Sequence, residues 1–399
     1  MTTQQSTQIA SSKSSSVFAT GFALFSMFFG AGNLIFPLLI GQSVGGNWLY
    51  AIFGLTITAV LVPFLGLAGM IFFQADYRKF LGRLGAIPGF SLLLLLQMIL
   101  GPFGVIPRLF TLMHAIIKPY LFDISLPLFS LLASFAIFLC SYRRQNLIGL
   151  LGVILTPILL LSLASLFISG TLTSSVLPET AVGTADSFLQ GLFGGYNTMD
   201  LIAAFLFATV VLHHFQKEVQ TDKTADQNRT LFKKVFFSSA IAAVLLLFTY
   251  IGICFISAHH APSIDSSYGS EELLSVVAFK LLGPIGGAVA AIAIVTACLT
   301  TAITLATIFA DYLQNDLGKG KFTFPTSLFI TLAITTGFAN LGFTGISAVL
   351  GPILQICYPG LIVLTVMNII HYFTGFKAIK VPVFLTFAIS AILYKYPIF

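Results

Sequence analysis

The stretch Phe29-Gly30-Ala31-Gly32-Asn33 lies in the middle of an apolar segment, residues 17–40, long enough to cross a bilayer, which takes about twenty residues. Its composition is wrong for an unbroken membrane helix. Two glycines in three residues weaken the helix, and Asn33 puts an amide in hydrocarbon. Pro37 has no N–H to give the carbonyl of Asn33, four residues back, and its ring crowds that carbonyl. Broken helix at membrane depth is tolerated only inside protein or beside a polar cavity. The rest of the chain reads as the scaffold for this break.

That scaffold is a membrane protein. The 399 residues are 57% hydrophobic and 8% charged, where a soluble domain carries about a quarter charged residues. Apolar segments fall at 17–40, 48–73, 89–117, 125–141, 147–169, 191–215, 235–258, 284–313, 323–341, 344–370 and 381–397. The fold class is therefore all-α and polytopic, with eleven spans. Residues 1–16, rich in Ser, Thr and Gln, read as a disordered cytoplasmic tail.

Basic residues test the count. With the N-terminus inside, the cytoplasmic segments hold Lys13; Arg78, Lys79 and Arg83; Arg143 and Arg144; Lys217, Lys223, Arg229, Lys233 and Lys234; Lys319 and Lys321; Lys377 and Lys380. That is fifteen of the nineteen Lys and Arg, so the positive-inside rule gives an N-in chain. The same distribution accounts for the net charge of +6 by topology. Nucleic-acid binding, which needs a basic patch with readout groups, is excluded. The four cysteines lie in apolar spans without metal or disulfide spacing. No HExxH, phosphate-cradling GxxxxGK[ST] or buried nucleophile order points to an enzyme.

A second copy of the break stands 164 residues on, at Phe193-Gly194-Gly195-Tyr196-Asn197. Phe, Gly and Asn recur in register, in span six, which runs opposite to span one. Equivalent breaks in oppositely oriented halves point to an inverted-repeat transporter; small-residue packing faces are the competing reading. The halves are 17–169 (spans one to five) and 191–370 (spans six to ten), with 381–399 as an extra C-terminal span. Asp200 is the one acid well inside a span. Intramembrane acids are costly, and this makes it a candidate for ion or substrate contact; the alternative is a cap on the second half-helix. Arg108, in span three, either snorkels outward or pairs with Asp200. Ala297, Thr300, Thr301 and Thr304 share one helical face of span eight. From spacing alone, hydroxyls bonding back to their own helix is the default reading. Residues 271–282, amphipathic at helical spacing, are an interfacial helix or an outer lid.

The run from Gly21 to Pro37, with its core FFGAGNLIFP, resembles the first span of the bacterial branched-chain amino acid:cation symporters (LIVCS, BrnQ-type). Gly101-Pro102, Ile106-Pro107-Arg108, the Thr300-Thr301 span and Tyr358-Pro359 are similar in place and order, and the likeness extends from residue 17 to nearly the end. The family usually has twelve spans, so eleven or twelve is the expectation. The resemblance implies a LeuT-like five-plus-five inverted repeat with spans one and six broken. It implies a Na+ held by carbonyls near Ser26 and Phe29 together with Ala297, Thr300 and Thr301. It also implies a multi-pass protein of the bacterial inner membrane.

The expected activity is secondary symport of branched-chain amino acids (Leu, Ile, Val or Met) by alternating access. The partners expected are that small molecule and membrane lipid. The substrate carboxylate would meet backbone N–H groups at Gly30, Ala31 and Gly32, with Asn33 beside them, and the ammonium would meet Phe193, Gly194, Gly195, Tyr196, Asn197 and Asp200. The alternative coupling ion is H+, carried by Asp200. A channel would need a continuous polar stripe, where the sequence has isolated breaks.

Overall fold

The computed structural model describes residues 17–120, 124–142, 156–173, 182–218, 225–260 and 268–395. The expected tail at 1–16, the pair Arg143-Arg144 and the start of the fifth span lie outside them. Among the described residues the regular structure is entirely helical. Six helical stretches are long and apolar enough to cross a membrane, and four shorter apolar helices join them.

Span one is α1 (Val17–Phe28) and α2 (Ala31–Val44). The helix is interrupted at two residues, Phe29 and Gly30, and Asn33 already lies in the first turn of α2. Span two is α3 (Trp48–Thr56), a π-helical turn at Ile57–Leu61, and α4 (Val62–Phe72). The short α5 (Tyr77–Gly82) leads to span three, α6 (Ala86–Leu100) and α7 (Val105–Ile117). Then come α8 (Leu126–Tyr142) and α9 (Thr156–Leu172). Span six is α10 (Thr184–Gly194), a 3-10 turn at Gly195–Thr198, and α11 (Asp200–Glu218). The remainder is α12 (Ala225–His260), α13 (Ser270–Tyr312), α14 (Phe324–Ala339), α15 (Gly342–Thr374) and α16 (Lys380–Lys395).

Two groups of helices emerge from the packing. Both halves of span one lie against α12, α3 lies against α10, and α4 against α11. The first two spans of each half thus make one bundle. Glycines let its backbones meet: a Cβ on Gly54 would stand 2.1 Å from the Phe188 carbonyl oxygen, and one on Gly41 2.3 Å from that of Cys254. This is the close approach that membrane helices need when lipid supplies no hydrophobic driving force. The other group is built on α13, which packs on α7, α8, α9 and α14. Outward-facing Phe135, Leu161, Phe248, Ile292 and Phe329 are each more than 60% exposed, a surface that only lipid solvates well.

The ends of the bundle differ. At one, Arg78 pairs with Asp316, and burial raises the Tyr77 hydroxyl above its ordinary range, so that it stays a donor to the same carboxylate. At the other, Lys118 pairs with Glu272 at 3.2 Å.

Two expectations need correction. Span three, expected as one segment over 89–117, is broken: residues 101–104 form a turn between α6 and α7. Pro102 has no N–H to continue the helix, and Gly104 permits the tight turn, since a Cβ there would lie 2.1 Å from the Ile99 carbonyl oxygen. The amphipathic stretch 271–282 is continuous with span eight across a kink at Gly283, whose φ is +68°. Its apolar residues Leu273, Leu274 and Val277 are buried in protein, with Leu281 accepting a bond from Ser169. It packs on the ends of spans three and five, the placement of the lid reading rather than of a helix standing apart from the protein.

Candidate functional site

The break in span one makes its own cap. Gly30 is extended (φ −121°, ψ −169°), and its N–H donates to Asn33 Oδ1 at 3.1 Å. That bond fixes the amide, so Asn33 Nδ2 points the other way. Nδ2 meets both carboxylate oxygens of Asp200, at 2.9 and 2.8 Å, and the Tyr250 hydroxyl. Tyr250 in turn donates to Asp200 Oδ2 at 2.9 Å. Asn33 and Asp200 are each 1% exposed. A buried carboxylate is tolerable when its lone pairs are used, and Asp200 also opens α11, where the helix dipole favours negative charge.

The break in span six lies beyond where the Phe-Gly-Asn match put it. Phe193 and Gly194 are still helical; the chain departs at the 3-10 turn and reverses at Met199, whose φ of +63° is left-handed. A non-glycine residue there costs about 1–2 kcal/mol. The tertiary structure holds it: the Leu201 N–H, an orphan of the new helix, donates to the Tyr358 hydroxyl at 3.0 Å, and Tyr358 stacks on Tyr196 at 4.6 Å.

The two breaks touch at Gly32. A Cβ there would lie 3.0 Å from Thr198 Cα and 3.1 Å from the Asn197 carbonyl oxygen. Around this crossing is a narrow cavity of about 20 Å³, lined by Gly30, Ala31, Gly32, Asn33, Asn197 and Asp200 among others. That is room for a single water, so an amino acid enters only when the helices part. Thr301, Arg108 and the apolar Phe28, Leu100, Phe207 and Leu305 complete the wall. The residues Phe193, Gly194, Gly195 and Tyr196 are not brought to the cavity. Phe193 and Gly194 line an open vestibule of about 840 Å³ between α2 and α10, and Asn197 borders both spaces. Gly195 packs on span two, its missing Cβ leaving room for Thr58 Oγ1. Tyr196 is the stacking partner of Tyr358.

Beside the cavity, Thr301 Oγ1 stands 3.0 Å from the carbonyl oxygen of Ala297, 3.1 Å from that of Ser26 and 3.4 Å from that of Phe29. One hydroxyl proton serves one acceptor. The cluster therefore gathers four oxygens around one proton, an all-oxygen set of the kind that hard cations take, while Thr301, like its neighbour, also bonds back to its own helix. Thr300 Oγ1 bonds back to Ala297 at 2.8 Å. Among the described residues no group of three His, Cys, Asp or Glu side chains is placed to hold a metal ion.

Sequence comparison assigns this architecture. Residues 13–396 match the family described as branched-chain amino acid transport protein. The chain belongs to that family. It is a multi-pass membrane transporter, not an enzyme, and its substrates are branched-chain amino acids. Carrier proteins named for branched-chain amino acids in Staphylococcus aureus strains, USA300 among them, are 30% identical over 394 residues, covering 93% of this chain and 86% of theirs. The branched-chain amino acid permease BrnQ of Bacillus subtilis (strain 168) is 29% identical over 366 residues, 88% of this chain and 80% of that protein. The inward-facing structure of Mhp1 superposes with a TM-score of 0.60 at 13% identity, over 96% of this chain and 89% of that one. That likeness is one of fold, and it is the LeuT-like fold with broken spans one and six.

Sequence reasoning missed Tyr250, Tyr358 and the third break. Each of the two tyrosines interrupts a run of apolar residues in its span, a weak signal that a polar partner waits at that depth.

Proposed function

We propose that this transporter imports leucine, isoleucine, valine or methionine across the bacterial inner membrane by Na+ symport, with its N-terminus in the cytoplasm. The observation that carries the coupling is the oxygen cluster at Thr301, where carbonyls of Ser26, Phe29 and Ala297 converge on one hydroxyl. Na+ entering there is held by those oxygens, with Thr300 turning from its own helix to join them. The site links span one, in the bundle, to span eight, in the surrounding scaffold, so occupancy biases how the two sit.

In this reading the substrate carboxylate takes first-turn N–H groups of α2 at Ala31 and Gly32. The Gly30 N–H is already bonded to Asn33 and serves as the cap. The ammonium faces Asp200 and the Asn197 carbonyl, and the side chain lies among Phe28, Leu100 and Phe207. The vestibule over Asn197 is the outer approach, with Phe193 and Gly194 in its wall. A tenfold Na+ gradient supplies about 1.4 kcal/mol, and one charge through 100 mV about 2.3 kcal/mol. Together these support accumulation of several hundredfold.

The second reading is a proton-coupled carrier. It rests on Asp200, whose buried carboxylate meets Asn33 and Tyr250 and is placed to bind and release H+ as the helices part. Uptake of labelled leucine into proteoliposomes separates the two. Na+ symport predicts accumulation that collapses when the Na+ gradient is removed. Accumulation that ignores Na+ and follows a pH gradient would overturn it in favour of H+ coupling.

A further inference from the structure

Three helix N-termini open onto the narrow cavity: α2 at Gly30–Gly32, α7 at Val105 and α11 at Asp200. Each brings the positive end of a dipole, and the first-turn N–H groups there have no partner within the helix, although Gly30 and Leu201 find one in Asn33 and Tyr358. At α11 the carboxylate of Asp200 balances this. At α7 the opposite occurs, because Arg108 lies in the first turn, its own N–H bonded to the Gly104 carbonyl at 3.1 Å. A cation near a helix N-terminus is disfavoured, and here it is also 1% exposed.

Arg108 neither snorkels outward nor pairs with Asp200. Nη1 donates to the Asn197 carbonyl at 3.1 Å, while Nε and Nη2 are buried with no partner. The rings of Phe36 and Phe343 lie 5.5 and 5.3 Å from the guanidinium. Such rings interact with the faces of the group and leave its in-plane donors to a ligand. An unpaired buried guanidinium is costly, and the cavity it lines holds one acid, already engaged by Asn33 and Tyr250. The cavity therefore lacks an anion.

We propose that Arg108 is the carboxylate anchor of the transported amino acid. Nε and Nη2 take the two carboxylate oxygens in a fork, beside the first-turn N–H groups of α2 and α7, and the ammonium is thereby turned toward Asp200. The zwitterion is read at both ends, by the one base and the one acid of the cavity. This rests on the cavity being the amino-acid site. It makes a free carboxylate a condition of binding, so that amides and amines of the same side chain are rejected.

Competitive binding to purified protein tests it, with leucine and leucinamide as probes. Wild type is expected to favour leucine at least tenfold. In Arg108→Gln the leucine affinity falls at least tenfold, leucinamide changes little, and the preference disappears. Arg108→Lys, which keeps the charge without the fork, falls between. Equal weakening of both probes with the preference intact would mean that Arg108 merely positions the Asn197 turn, and would overturn the proposal, as would a wild type that does not distinguish the probes. If Arg108→Gln fails to fold, Arg108→Lys decides: an unchanged preference overturns the proposal. Wild type that binds no leucine, isoleucine or valine would overturn the substrate reading itself.

Discussion

Span one interrupts its helix with an extended glycine capped by the next turn, whereas span six does so with a 3-10 turn closed by left-handed Met199. The first break is held by its own segment, through Gly30 and Asn33. The second is held from outside, by Tyr358 of span ten on the Leu201 N–H and by Arg108 of span three on the Asn197 carbonyl. Their chemistry differs in the same sense. Span one offers neutral backbone, with carbonyls toward Thr301 and N–H groups toward the cavity. Span six offers a carboxylate. Inverted repeats share a shape, but a zwitterion and a cation have no such symmetry, and under the proposed function the two breaks divide the work between them.

Asp200→Asn attacks the difference most directly. It keeps the shape and removes the charge, leaving Asn33 Nδ2 and the Tyr250 hydroxyl facing a neutral amide. Leucine uptake is expected to fall at least a hundredfold with the protein still folded, as measured by transport beside a thermal melt. Near-normal uptake would reduce Asp200 to a helix cap. Gly32→Ala is the next in size. Its Cβ would press 3.0 Å from Thr198 Cα, backbone against backbone, and forces the two breaks apart by a few tenths of an ångström. Uptake should drop about tenfold. At Gly30 the nearest atom to an added Cβ is 3.7 Å away, so Gly30→Ala is expected to lose less. Equal losses would show that the crossing is not the sensitive point.

Much of this was legible in the sequence. The spans, the basic loops and the first break follow from composition and periodicity, because a bilayer imposes length and polarity on each segment separately. The position of the second break does not follow. The Phe-Gly-Asn match began two residues early, with Gly194 still helical, because Gly194 and Gly195 serve packing: a Cβ would lie 2.6 Å from Ile40 Cδ1 at the first and 2.0 Å from Thr58 Oγ1 at the second. In a glycine-rich span, glycines that admit a neighbour and glycines that mark a break read alike. The break at residues 101–104 was concealed for the same reason: Gly101 and Gly104 sit inside a segment, 89–117, long and apolar enough to read as one span. Asn33 and Asp200 stood out as polar groups in hydrocarbon, but their union with Tyr250 is a contact across 217 residues of chain. Locally, Tyr250 shows only as a hydroxyl within an apolar span, which signals a polar partner without naming it.

The central claim is that the span-one break serves ion and substrate at once, with Thr301 as the joint. Linkage makes that measurable, because two ligands that favour one state must each strengthen the other's binding by the same factor. Leucine affinity should be titrated calorimetrically across a range of Na+ concentrations in wild type, Thr301→Val and Thr300→Val. The account predicts that wild-type Kd for leucine falls about fivefold or more as Na+ rises. In Thr301→Val this dependence should be lost, and in Thr300→Val, whose hydroxyl already bonds Ala297, it should be weakened less. A wild-type Kd indifferent to Na+, or a Thr301→Val variant that keeps the full dependence, would contradict it.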